Sequence, residues 1–123
     1  MGIWYYFDMI RSFQDLEAYW ESKNLFPKVI EAVSKFPREA NYLVSQMSRA
    51  ANSIHANIAE GFGMSEAEFK KFLTTALGSN NELLSHLEDA RVVNYLKQND
   101  YKILTDGYNL VGKKIFRLKE RWK

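Results

Sequence analysis

Side chains of the kinds that carry out catalysis are sparse in this sequence. The chain has two histidines, His55 and His86, and no cysteine, which excludes thiolate metal sites, cysteine nucleophiles and disulfide scaffolds. Glu82 lies four residues before His86, a spacing that is common by chance in helices, and neither HExxH nor Glu-x-x-His occurs. We therefore expect no enzymatic activity, no cofactor and no metal site.

Positive charge is concentrated at the C-terminal end of the chain. Residues 113–123 contain six basic side chains against Glu120, whereas the whole chain has a formal net charge of only +2. Basic residues near a helix C-terminus favour the helix dipole, so a merely solvated face is one interpretation. The other is a surface that holds RNA phosphates and stacks bases on Phe116 or Trp122. The candidate nucleic-acid-binding residues are Lys113, Lys114, Arg117, Lys119 and Arg121.

A polar stripe is predicted on the helix that ends near Gly61. At 100° per residue, five polar side chains fall within about an 80° sector beside the apolar seam. Buried polar groups cost about 1–3 kcal/mol each when unpaired, so we expect bonds within the stripe, to helix ends or across to the next helix. The stripe is either a network that fixes helix register or a pocket for a ligand or nucleic acid. Its members are Gln46, Arg49, Ser53, Asn57 and Glu60, with Ser79 and Glu82 on the next helix.

The elements that position these groups are predicted to be helices. The length of 123 residues fits one domain, and 46% apolar and 15% aromatic content excludes intrinsic disorder. The helical period recurs four times: over Phe13–Lys35, over Arg38–Glu60, from Glu66 toward Tyr95, and from the polar break at residues 97–100 to the C-terminus. Pro27 predicts a kink in the first helix, or a break into two shorter ones.

Each predicted helix has an apolar seam. Four long helices with short connections pack most simply as an antiparallel up-down-up-down four-helix bundle, an all-α fold. We assign residues 13–123 to this domain and residues 1–12 to an aromatic N-terminal extension. The seams are Leu16, Tyr19, Phe26, Ile30 and Val33; Leu43, Met47, Ala50, Ile54 and Ile58; Phe69, Leu73, Ala76, Leu83 and Leu87; and Leu104, Tyr108, Val111, Ile115, Leu118 and Trp122.

The second helix is unusually poor in charge. Between Ala40 and Ala59 its only charged residue is Arg49, although a helix with a solvent face normally carries charges there. Small residues and amides take their place, which favours burial first by the bundle and then by a second subunit. A helix that is simply central to a monomer is the alternative.

The N-terminus contains the aromatic cluster Trp4–Phe7, which must be covered by the bundle or a neighbouring subunit, or else belong to a mobile arm. It lacks the basic and apolar regions of a secretory signal. No stretch approaches the ~18 apolar residues of a membrane span. We expect a cytoplasmic protein with no membrane partner.

The run from Ser45 to Gly63, SQMSRAANSIHANIAEGFG, resembles a bacterial family of proteins encoded in intervening sequences of the 23S ribosomal RNA gene. Members are sometimes described as ribosomal proteins. The family pattern matches here at Phe36-Pro37-Arg38-Glu39, at Gln46, Arg49, Ala50, Ser53, Ile54, Asn57, Ile58, Ala59, Glu60 and Gly61, and at Ala76, Gly78, Ser79 and Glu82.

The resemblance implies an antiparallel four-helix bundle, often assembled as a ring-like homopentamer. The family is similar to the accessory protein of diversity-generating retroelements, a basic pentamer that works with nucleic acid and a reverse transcriptase. No biochemical activity is established for most members. We expect a non-enzymatic homo-oligomer that binds RNA or a nucleoprotein partner through basic patches; the alternative is a structural or protein-interaction module without a nucleic-acid role.

Overall fold

Four α-helices make up most of residues 9–122, the part of the chain that the computed structural model describes. No strand occurs in that part, so the prediction of an all-α fold is confirmed. The aromatic cluster predicted to need cover, Trp4–Phe7, lies outside the described residues. The helices are α1 (Glu17–Val33), α2 (Asn41–Gly61), α3 (Glu66–Val92) and α4 (Gln98–Arg121).

The start of α1 differs from the prediction. A 3-10 turn at Phe13–Asp15 comes first, and Leu16 then takes an extended conformation, so the α-helix begins at Glu17 rather than at Phe13. The Asp15 carboxylate holds the turn by accepting the backbone N–H of Ser12 at 3.1 Å. Within α1 the chain continues through Pro27 in one helix, so the alternative of two shorter helices is wrong.

The predicted seams of α2, α3 and α4 are confirmed. Their apolar residues are buried, and only Trp122, beyond the end of α4, is partly exposed. In α1 the seam is shifted: Val29 is fully buried, whereas the predicted Ile30 is 41% exposed. Ser22 takes a core position because its hydroxyl donates to the Ala18 carbonyl at 2.7 Å. A serine that bonds to its own helix can be buried without a partner elsewhere.

The four helices enclose one core. α1 packs on α2 and α4, and α3 packs on the same two helices. The α2–α3 contact is close at Gly61, where a Cβ would come within 2.6 Å of the Phe72 Cβ. A single buried cluster runs through all four helices, which is bundle packing.

Local backbone and side-chain contacts account for both ends of α3. Ser65 begins α3 as a cap, since its hydroxyl accepts the backbone N–H of Glu68 at 3.2 Å. The helix ends at Val92, before the predicted Tyr95, because Asn94 adopts a left-handed conformation with φ of 63°. No helix within residues 9–122 has the length and apolar character needed to cross a membrane.

Candidate nucleic-acid interface and polar stripe

Three of the five candidate basic residues lie on one outer face of α4. Lys113, Arg117 and Arg121 are spaced four apart and are all exposed, on the side opposite the buried seam. None of the three forms an ion pair with any residue in 9–122. Because residues four apart lie on successive turns, the helix brings these three cations together on one face.

Lys114 is placed differently. Its ammonium lies 3.0 Å from a Glu17 oxygen and donates to Glu21 at 2.6 Å, both on α1. Partial burial lowers the pKa of Lys114, but the hydrogen bonds to Glu21 and Glu17 outweigh this effect and leave the pKa raised. The side chain therefore ties α4 to α1 and is already occupied, although the sequence grouped it with the free cations.

The two aromatic residues proposed for base stacking differ in exposure. Phe116 is 55% exposed. The Trp122 ring packs instead against Phe69, with ring centroids 4.9 Å apart, and against Phe62 at 6.0 Å. The fifth basic candidate, Lys119, is half-buried. Phe116 is thus the exposed ring on the basic half of α4.

Part of the polar stripe forms a hydrogen-bonded network between α2 and α3. The hydroxyls of Ser53 and Ser79 are 2.7 Å apart. The Asn57 amide donates to the Ser53 carbonyl at 2.8 Å and to the Ser53 hydroxyl at 2.9 Å. These three half-buried residues satisfy one another across the helix contact, as expected of a network that fixes register.

The other members of the stripe stand apart from that network. Arg49 and Glu60 are exposed and Gln46 is half-buried, and none of the three forms a hydrogen bond or ion pair within the described part of the chain. Glu82 pairs with His86 of its own helix at 3.3 Å. The expected bonds to one another, to helix ends or across to α3 are therefore not formed by Gln46, Arg49 and Glu60 within the described residues.

The burial of α2 is one-sided in the single chain. Ala51 is fully buried and Asn57 is half-buried, whereas Ala56 is exposed. The small-residue, charge-poor surface predicted for this helix thus faces outward at Ala56 and at two exposed polar residues on the same helix face, Asn52 and Ser45.

Neither histidine belongs to a group of three or more possible metal ligands, since no such group occurs among residues 9–122. His55 is a core residue, 3% exposed, whose ring meets those of Phe26 and Tyr19 edge-on at 5.2 and 6.1 Å. Burial, with the positive charge of Lys23 as a second cause, lowers the pKa of His55 to about 4. The imidazole is therefore neutral near pH 7 and serves packing.

One polar contact was missed by sequence reasoning. Asn80 of α3 is 1% exposed, and its amide donates to the Tyr108 carbonyl of α4 at 2.9 Å. Gly112 permits this approach, since a Cβ there would lie 2.9 Å from the Asn80 Nδ2. The available signal was an amide within the seam of one helix and a glycine within the next, but their register was not visible in the sequence.

These features define a class of protein: a small helical bundle with a polar seam between its two central helices and a basic last helix. The family model described as "23S rRNA-intervening sequence protein" matches residues 14–117. The chain belongs to this family, which confirms the resemblance seen in the sequence.

A solved structure has the same fold. It is the crystal structure of a protein of unknown function from the S23 ribosomal protein family of Bacteroides thetaiotaomicron VPI-5482. The TM-score is 0.77 at 22% identity, over 84% of this chain and 95% of the other. No curated protein matches this chain.

Proposed function

We propose that this chain is a non-enzymatic, cytoplasmic protein that binds RNA, alone or within a nucleoprotein, through the outer face of α4. The observation that carries the proposal is the row formed by Lys113, Arg117 and Arg121, three exposed cations without an acidic partner in residues 9–122. At 1.5 Å rise per residue the row spans about 12 Å. Such a row matches the repeated negative charge of a nucleic-acid backbone.

Salt dependence tests this proposal quantitatively. Three neutralised phosphates on a single strand give a slope of about −2 for log affinity against log salt concentration per protomer. Fluorescence anisotropy with a labelled single-stranded RNA, titrated at several potassium chloride concentrations, measures that slope. Absent binding, or binding that does not respond to salt, would overturn the proposal.

A pair of variants makes the test specific to the basic row. Lys113→Gln should weaken binding and reduce the magnitude of the slope by about 0.7. Lys102→Gln removes the same charge from the other half of α4, where Lys102 pairs with Asp106 at 3.1 Å. The control should bind RNA as the wild type does; equal losses in both variants would show that only total charge matters.

We also propose that the protein is a homo-oligomer, which the family resemblance suggests is a pentamer, with an antiparallel up-down-up-down bundle in each protomer. Two contact pairs support an antiparallel arrangement of α2 and α3. Ser53 lies beside Ser79, and the later residue Gly61 of α2 lies beside the earlier residue Phe72 of α3. The exposed, charge-poor face of α2 supports assembly. A ring would repeat the basic row around its axis, and avidity would then strengthen weak individual contacts. Light scattering that reports a monomer at micromolar concentration would exclude the oligomer.

A second candidate is a protein-interaction module with no nucleic-acid role. The observation in its favour is the same charge-poor face of α2, together with a net charge of only +2. A protein partner that remains bound in a pull-down after nuclease treatment, with no measurable RNA affinity, would favour this candidate.

A further inference from the structure

A groove of about 460 Å³ lies between α3 and α4 beside the basic row. This volume is within the range of about 300–1,000 Å³ usual for sites that hold small molecules. Asn80 and Gly112 line it, together with two half-buried leucines, Leu77 and Leu84. Because the Asn80 amide is anchored to the Tyr108 carbonyl, its part of the lining is held in place by a buried hydrogen bond.

The rim of the groove combines three kinds of group. Lys113 and Arg117, two cations of the proposed RNA-binding row, line it on the α4 side. Phe116 stands between them in sequence, and its ring is 55% exposed. Exposed amides are supplied from both helices by Asn81 and Asn109.

This combination fits a nucleotide. An exposed aromatic ring beside a cationic groove is how proteins hold single-stranded nucleic acid, with bases stacked on the ring and phosphates paired with the cations. Asparagine side chains carry both a donor and an acceptor, so they can bond to the edge of any base. A purely apolar partner would use only the ring and the two leucines, whereas a nucleotide would also engage the two cations and the amides.

We propose that the α3–α4 groove receives one unpaired base of a bound RNA strand. The base stacks on Phe116, its edge bonds to Asn81 and Asn109, and the flanking phosphates contact Lys113 and Arg117. This inference rests on the proposed RNA binding and adds that the strand must be single. Bases inside a duplex are already stacked on one another and cannot enter the groove.

Two RNA-like ligands of equal charge test the inference. One is a ten-nucleotide oligoadenylate, and the other is a ribose-phosphate ten-mer that lacks the bases. Stacking of one base is worth about 1–3 kcal/mol, so the wild-type protein should bind the abasic strand about 5- to 150-fold more weakly. Fluorescence anisotropy at one fixed salt concentration measures both affinities.

Matched variants locate the effect. In Phe116→Ala the affinity for oligoadenylate should fall most of the way toward that for the abasic strand, because only the bonds to the two asparagines remain, while the salt slope is unchanged. Leu110→Ala is the control, because Leu110 is an exposed apolar residue of α4, 45% exposed, that does not line the groove. This control should keep the wild-type preference for the strand that carries bases.

The possible failures can be told apart. Equal wild-type affinity for the two strands, with a normal salt slope, would overturn the groove inference and leave the proposed RNA binding intact. Binding of neither strand would overturn both proposals. A change of oligomer mass in Phe116→Ala, measured by light scattering, would show that a second copy of the chain covers the groove and would also overturn the inference.

Discussion

Acidification should destabilise this protein through His55. The ring is 3% exposed and lies edge-on to two aromatic rings, those of Phe26 and Tyr19. Its Nδ1 has no hydrogen-bond partner in the described part of the chain. Burial first, and the nearby charge of Lys23 second, lower the pKa in the folded state from 6.5 to about 4.

The sign and size of the effect follow from this pKa difference. Below pH 6.5 the unfolded chain takes up a proton that the folded chain does not, so the free energy of unfolding falls as the pH is lowered. One pKa unit corresponds to about 1.36 kcal/mol. For a folded pKa of about 4, His55 costs about 2 kcal/mol at pH 5 and about 3 kcal/mol at pH 4, and the loss levels off below that pH.

Urea unfolding followed by circular dichroism at pH 7 and pH 5 measures this loss. The comparison is between the wild type and His55→Leu, at one protein concentration because subunit assembly would shift apparent stability. The variant should lack the loss of about 2 kcal/mol between the two pH values, whatever its stability at pH 7. His86→Gln is the control, since His86 lies near the surface and pairs with Glu82, and it should keep the full loss. An equal pH dependence in His55→Leu and the wild type would refute the burial reasoning.

Three further substitutions, two of them with a matched control, test the core, the α3–α4 contact and the α1–α4 contact by the same unfolding measurement at pH 7. The Tyr108 hydroxyl is buried without a partner in the described chain, and burial raises its pKa. Tyr108→Phe should therefore leave the free energy of unfolding unchanged or raise it by up to about 1 kcal/mol. A clear loss of stability in this variant would contradict the prediction. Gly112→Ala should lower the free energy of unfolding by about 1–3 kcal/mol, because its new methyl group would meet the buried Asn80 amide at 2.9 Å. Gly78→Ala is the control, since a Cβ there has no atom within 4 Å, and it should raise stability by about 0.5–1 kcal/mol. Similar effects at the two glycines would rule out the close helix contact. Lys114→Gln should lower the free energy of unfolding by about 1–2 kcal/mol, because the largely buried Glu21 would lose its partner, and it should have little effect on RNA affinity. Lys102→Gln is the control: it breaks an exposed ion pair and should cost under about 0.5 kcal/mol. A loss of RNA binding in Lys114→Gln without a loss of stability would show that Lys114 contacts RNA.

The helix seams could be predicted because burial of an apolar face imposes a regular spacing. This worked for α2, α3 and α4, where each seam residue is large or lies against a neighbouring helix. It failed by one position in α1, where Ser22 is buried and Ile30 is exposed. The Ser22 hydroxyl can be buried without the cost of an unpaired polar group, because it bonds to its own helix. Residue type alone therefore could not predict that Ser22 is buried.

The candidate site was predictable as a set of residues but not as an arrangement. The run of basic residues in α4 identified Lys113 and Arg117 as candidates. It could not separate them from Lys114, because the acidic partners of Lys114 lie 93 and 97 positions earlier, at Glu21 and Glu17. The groove beside Phe116 was likewise invisible, since it depends on how α3 and α4 pack.

The polar stripe of α2 divides into two groups of residues, for which we predict different roles. Ser53, Asn57 and Ser79 satisfy one another within a single chain, so their hydrogen bonds contribute to the folding of each protomer. Arg49 and Glu60 are exposed and have opposite charge, with no partner in residues 9–122, so they are free to pair between protomers. Asn57→Leu should therefore lower stability at every protein concentration. Arg49→Ala should instead weaken assembly, which light scattering across a dilution series would detect, and an unchanged dissociation midpoint would exclude Arg49 from the subunit contact.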